Sequence, residues 1–142
     1  MSQPLEGPQN QPLPSETAAT AVGNPVLAMV LAWLVPGLGH FYLGRRGRAA
    51  LFFLLIVVSL WVGTSLQGNL YRPVPGQPLT LLATLGAMGM GVPYFLLRYG
   101  MGYAGDIVGA GYEYGTAFLL TAGLMNWLLM LDAWDISRGK KE

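Results

Sequence analysis

Residues 49–66 contain no charged side chain, and neither do residues 79–97 or 115–131. Each stretch is apolar on every face of a helix. A helix in water needs one polar face, and three such stretches in 142 residues leave none. About 20 apolar residues in helical geometry match a hydrocarbon core of roughly 30 Å. Lipid cannot satisfy open backbone groups, so a chain of this kind folds as a helical bundle or a closed barrel. No period-2 alternation marks a barrel. The expected fold class is therefore all-α, a polytopic transmembrane bundle.

About four hydrophobic segments are expected, over 26–44, 49–67, 79–97 and 115–136, within one membrane domain at 25–138. Asn24 suits a helix N-cap and Pro25 the first helical position, and Pro78 opens the third segment in the same way. Pro36 and Gly37 kink or break the first segment, which makes a re-entrant path an alternative to a crossing. Pro93 kinks the third near its end. Residues 1–24 are polar, rich in Pro, Gln, Ser and Thr, and read as a disordered tail. They show no signal-peptide pattern. Residues 139–142 form a basic tail.

Charge narrows the function classes. Charged residues are 11% of the chain, against about 25% in soluble domains. Eight Lys+Arg against seven Asp+Glu offer no basic surface for nucleic acid. The absence of cysteine excludes disulfides, zinc-thiolate sites and iron–sulfur clusters. Arg45, Arg46 and Arg48 crowd the turn between the first two segments. If four segments cross, these three and Arg98 lie on one side. Arg72, Arg138, Lys140 and Lys141 lie on the other, a tie under the positive-inside rule. Only a non-crossing segment among the last three brings the arginine turn and the tail together. The arginine turn is expected in the cytoplasm.

The densest motif is Pro36-Gly37-Leu38-Gly39-His40-Phe41-Tyr42-Leu43-Gly44-Arg45-Arg46-Gly47-Arg48. It resembles the TM-two domain, a two-helix membrane hairpin with a Gly-rich segment, a His, Phe-Tyr-Leu-Gly and a basic turn. His40 directly precedes Phe41, where that family has a residue between. The motif is more similar to an uncharacterised group of small bacterial membrane proteins with a domain of unknown function. That group shares a late helix with an Asn and an Asp-rich end, here Asn126, Asp132, Ala133 and Asp135. The resemblance covers roughly residues 25–138. It implies a helical membrane protein, in a bacterial cytoplasmic membrane, with no established activity.

Candidate sites follow from residue type and place. Arg45, Arg46, Arg48 and His40 are expected to contact anionic lipid headgroups, at about 1 kcal/mol per basic residue. His40 can instead bond a carbonyl freed by Pro36, or relay a proton. Ala83, Ala87 and Gly91 recur every four residues, and Gly86 and Gly89 widen their small surface for helix packing. Asn126 lies mid-segment and suits an interhelical hydrogen bond. Asp132 and Asp135, one turn apart, are expected to pair with Arg138, Lys140 and Lys141. Gly100-Met101-Gly102-Tyr103-Ala104-Gly105 matches a dinucleotide fingerprint but follows an apolar segment rather than a strand. No nucleophile elbow, His-Glu-x-x-His or phosphate loop occurs. The expected role is non-catalytic, without cofactor or metal: a scaffold, accessory or lipid-interacting module. Its partners are membrane lipids and a second copy or another membrane protein. The alternative is a small transporter or channel component, monomeric or oligomeric, with a polar path through His40 and Asn126.

Overall fold

A computed structural model describes residues 23–139. The expected tail at 1–24 lies outside them, apart from Gly23 and Asn24, as do Lys140, Lys141 and Glu142. Every regular element among the described residues is helical.

The helices are α1 (Pro25–Leu34), α2 (Leu38–Tyr42), α3 (Arg46–Ser65), α4 (Pro78–Met88), α5 (Val92–Phe95) and α6 (Tyr112–Ser137). A π-helical turn, Leu96–Gly100, continues α5. Two of these, α3 with 20 residues and α6 with 26, are long and apolar enough to cross a membrane. At 1.5 Å per residue they extend about 30 and 39 Å.

Four full-length segments are not what the structure shows. The first, expected over 26–44, is two helices. Asn24 caps α1 by accepting from the Val26 and Leu27 amides, and Pro25 sits at its start. The helix stops at Leu34 because Pro36 has no N–H to continue the ladder. Gly37, at φ +84°, then redirects the chain into α2. The third expected segment, 79–97, bends by 117° between α4 and the Val92–Gly100 stretch. That break centres on Gly91, at φ +72°, two residues before Pro93. Counted as one bent span, α4 with Val92–Gly100 is a third candidate crossing.

Helix α6 is the spine, packed by α1, α3 and α4. α3 runs antiparallel to it. Gly63, near the end of α3, and Gly68, three residues beyond that end, abut Leu119 and Gly115 near the start of α6. Phe52, early in α3, and Asp132, late in α6, both meet the His40 ring. The glycines let the backbones close: a Cβ on Gly115 would fall 2.6 Å from the Gly68 nitrogen. The buried residues of α3 are Ala49, Ile56 and Gly63, seven apart, with Gly63 facing α6 and Ala49 facing Gly37. Between them Leu51, Phe53, Leu54, Val57, Val58 and Trp61 face outward.

Helices α1 and α4 share the remaining length of α6. Ala28 and Ala32 of α1 pack with Met130, Ala133 and Ile136, and Ala32 reaches Asn126. α1 therefore enters from the C-terminal end of α6 and reaches its middle. Gly86 of α4 faces Leu120 and Leu124, and Gly89 faces Gly123 and Trp127. α4 therefore advances from the opposite end to the same middle. From there Tyr94 donates to the Tyr71 carbonyl at 2.7 Å and Tyr103 to the Gly68 carbonyl at 2.8 Å. Those bonds return the chain to the end of α3. α1–α2 and α4–α5 are thus two half-depth hairpins that approach from opposite ends.

One end of the bundle carries Arg45, Arg46, Arg48 and Arg138, by the antiparallel pairing of α3 and α6. Arg72 and Arg98 lie together at the other, lining a cavity of about 190 Å³ with Asn69, Leu70 and Ala104.

Candidate functional site

The two hairpin tips meet at Asn126, which is fully buried halfway along α6. Its Nδ2 donates to the Ala32 carbonyl at 3.1 Å and to the Gly89 carbonyl at 2.8 Å. Both acceptors lie at helix ends, where carbonyls have no intrahelical partner. In an α-helix, a carbonyl at position i accepts from the amide at i+4. Four residues after Ala32 stands Pro36, which has no amide hydrogen, while Gly89 follows the end of α4 and the chain turns away at Gly91. One side-chain amide takes both carbonyls, one from each hairpin.

Other bonds lock the same junction. Trp33 Nε1 donates to the Met88 carbonyl at 3.1 Å, tip to tip. Trp127 Nε1 donates to the Leu85 carbonyl at 2.9 Å. Gly91 lies against the Trp33 carbonyl oxygen, where a Cβ would overlap it. Asn126 Oδ1 is buried and accepts no hydrogen bond from the described residues.

Closer to the arginine end is an ionisable pair. His40 Nε2 lies 2.9 Å from Asp132 Oδ2. His40 is fully buried, and its ring stands edge-on to Phe52 with centroids 5.2 Å apart. The Asp132 side chain keeps 23% of its exposure. The His40 Nδ1 atom is buried without a partner among the described residues. His40 thus differs from the expected placement beside the arginines at a headgroup layer. The carbonyl freed by Pro36 goes to Asn126, not to His40. Asp132 turns to His40, while Asp135 is half-buried one turn further on.

The arginines are more open. Arg46 and Arg48 are exposed and Arg45 is partly so. Arg46 lies over the Phe41 ring at 5.8 Å and Arg138 over Trp134 at 5.8 Å. Among the described residues none of the four forms an ion pair with Asp or Glu. Ala87 is buried in the core with Ile56, Met90, Tyr94 and Ala122. Ala83 is half-buried in a groove with Leu82, Gly86, Leu120, Leu124 and Trp127. Gly91 packs on the tip of α1 rather than extending that α4 surface. Gly100 to Gly105 spans the end of the π-helical turn and an irregular connector.

Two antiparallel apolar helices with half-depth hairpins lodged along them define a small all-helical protein with the dimensions of a membrane-crossing fold. The model of a family of unknown function (DUF6677) matches residues 27–142, and the chain belongs to that family. No curated protein and no solved structure matches the chain.

Proposed function

We propose that this chain is an integral protein of a bacterial cytoplasmic membrane, crossed by α3 and α6. Its arginine end faces the cytoplasm and holds anionic lipid headgroups without catalysing a reaction. The observation that carries this reading is the gathering of Arg45, Arg46, Arg48 and Arg138 at one end, unpaired with acidic side chains among the described residues. With two crossings, the tie of four basic residues a side disappears. Among the described residues Arg72 and Arg98 take the opposite end against four arginines at this one, and the positive-inside rule orients the arginine end inward. Clustered arginines near a cytoplasmic leaflet attract anionic lipid at about 1 kcal/mol each. Arg guanidinium also bonds phosphate with a fork of donors.

The test is an Arg45/Arg46/Arg48→Gln triple variant. Protein extracted from membranes is weighed with its retained lipids by native mass spectrometry. Anionic lipid is expected to be retained by the parent chain and lost by the variant. Equal retention by both overturns the lipid role.

A second reading, a component of a small transporter or channel, draws on one observation: two interrupted helices end on a buried polar side chain at mid-depth. Ion flux measured in liposomes, and its loss in Asn126→Leu, tests it. Flux equal to that of empty liposomes overturns it.

A further inference from the structure

α1 and α4 both point their C-terminal ends at the middle of α6. A helix C-terminus carries a partial negative charge of about half an electron, spread over its last open carbonyls. Two such ends face one another here within an apolar bundle. What lies between them is the Asn126 amide and the Trp33 indole N–H, neutral donors that supply hydrogens and no net charge. The amide's own oxygen, Asn126 Oδ1, is buried and unpartnered. Three oxygens therefore gather around one side chain: the carbonyls of Ala32 and Gly89, which share the single Asn126 Nδ2 as donor, and the unpartnered amide oxygen of Asn126 itself.

We propose that this junction is a binding site for a monovalent alkali cation. The ion takes the place now held by the Nδ2 hydrogens, and the Asn126 amide turns over to present Oδ1. Ala32 O, Gly89 O and Asn126 Oδ1 then coordinate it together, and the two helix dipoles favour its charge. The donor set decides the ion class. All three oxygens are neutral, and no group of three His, Asp or Glu converges among the described residues. Asp132 is about 9 Å further along α6 and engaged with His40. Divalent calcium and magnesium rely on carboxylates to offset their hydration, which this point lacks. Interrupted helices whose C-terminal ends and unwound carbonyls meet an ion at mid-depth are a general solution to holding a cation in a membrane. This proposal does not depend on the lipid reading, which concerns the arginine end alone.

The test uses the full chain in nanodiscs of neutral phosphatidylcholine, where anionic-lipid effects are absent. Unfolding is followed by the fluorescence of the four tryptophans, two of which, Trp33 and Trp127, sit at the junction. The melting temperature is measured in lithium, sodium, potassium and choline chloride at one ionic strength. The expected result is a saturable rise with at least one alkali ion over choline. It amounts to roughly 5 °C once the ion exceeds its Kd about tenfold. Asn126→Leu is expected to abolish the rise. Because that variant also removes the junction's hydrogen bonds and can fail to fold, Asn126→Asp is measured beside it. A carboxylate there is expected to lower the ion concentration at half-effect at least tenfold. Equal melting in all four salts overturns the proposal. So does an unchanged half-effect concentration in Asn126→Asp, or a full shift in a folded Asn126→Leu.

Discussion

Gly91→Ala puts the meeting of the two hairpins under direct test. Gly91 holds φ +72° and ψ −133°, a region open in practice only to glycine. A side chain there costs of order 1–3 kcal/mol in backbone strain alone. The added methyl also overlaps the Trp33 carbonyl oxygen. That atom is backbone from the opposite hairpin, so no rotamer change relieves the contact, and the tips must part. Parting stretches the 3.1 Å Trp33–Met88 bond and the 2.8 Å Asn126–Gly89 bond. Side-chain hydrogen bonds inside membranes average about 0.6 kcal/mol each. The expected loss is therefore about 2–4 kcal/mol. Gly76→Ala is the matched control. Gly76 also has positive φ, at +83°, but a Cβ there meets nothing within 4 Å. It should lose only the backbone term, about 1–2 kcal/mol. Reversible unfolding in mixed micelles, followed by tryptophan fluorescence, measures both. Equal losses in the two variants refute the tip contact. A Gly91→Ala loss under about 0.5 kcal/mol refutes the backbone argument as well.

Three further outcomes are expected. The chain has no native cysteine, so Gly44→Cys and Arg138→Cys should react with an impermeant thiol reagent from one side of the membrane and Gly76→Cys from the other; labelling of Gly44 and Arg138 from opposite sides would contradict two crossings. His40→Leu should destabilise by about 1–3 kcal/mol because it removes a buried hydrogen-bond partner, whereas Asp132→Asn keeps an oxygen facing the imidazole and should lose less; chemical unfolding of both variants ranks them. Burial raises the Tyr103 phenol above its ordinary value of 10.0. Its folded form therefore holds the proton more tightly, and that contribution is complete below pH 10 and lost as pH rises through the raised value. Tyr103→Phe should flatten the alkaline decline of the melting temperature, and an unchanged slope would count against it.

The long elements were legible because composition alone decides them. An uncharged apolar run from Ala49 to Leu66 has one stable form in lipid, and α3 covers nearly all of it. The breaks at Pro36 and near Pro93 were also readable, since a missing N–H is a local fact. Their consequence was not. Proline at i+4 frees a carbonyl at i, so Ala32 could be marked as an open acceptor from sequence, whereas Gly89 is open because α4 ends at Met88 and the chain bends at Gly91. Nothing local says that one residue some 94 positions from Ala32 and 37 from Gly89 will serve both. The expected stripe of Ala83, Ala87 and Gly91 assumed a helix continuing through Gly89, and the bend sends Gly91 to a different partner. His40 shows the same limit. Arginines follow it from position 45, yet its partner is Asp132, 92 residues away and brought near by the packing of α2 on α6.

The shared acceptor pair at Asn126 also orders events during synthesis. Both hairpins leave the ribosome before α6 does. Until then the Ala32 and Gly89 carbonyls have no donor, and an open carbonyl in hydrocarbon costs several kcal/mol. Neither tip can settle at depth in lipid while that penalty stands. In a chain that inserts in this order, the hairpins are expected to wait at the water-rich surface or in a protected insertion site. Arrival of α6 brings the missing donor, so both hairpin tips are expected to settle together with it.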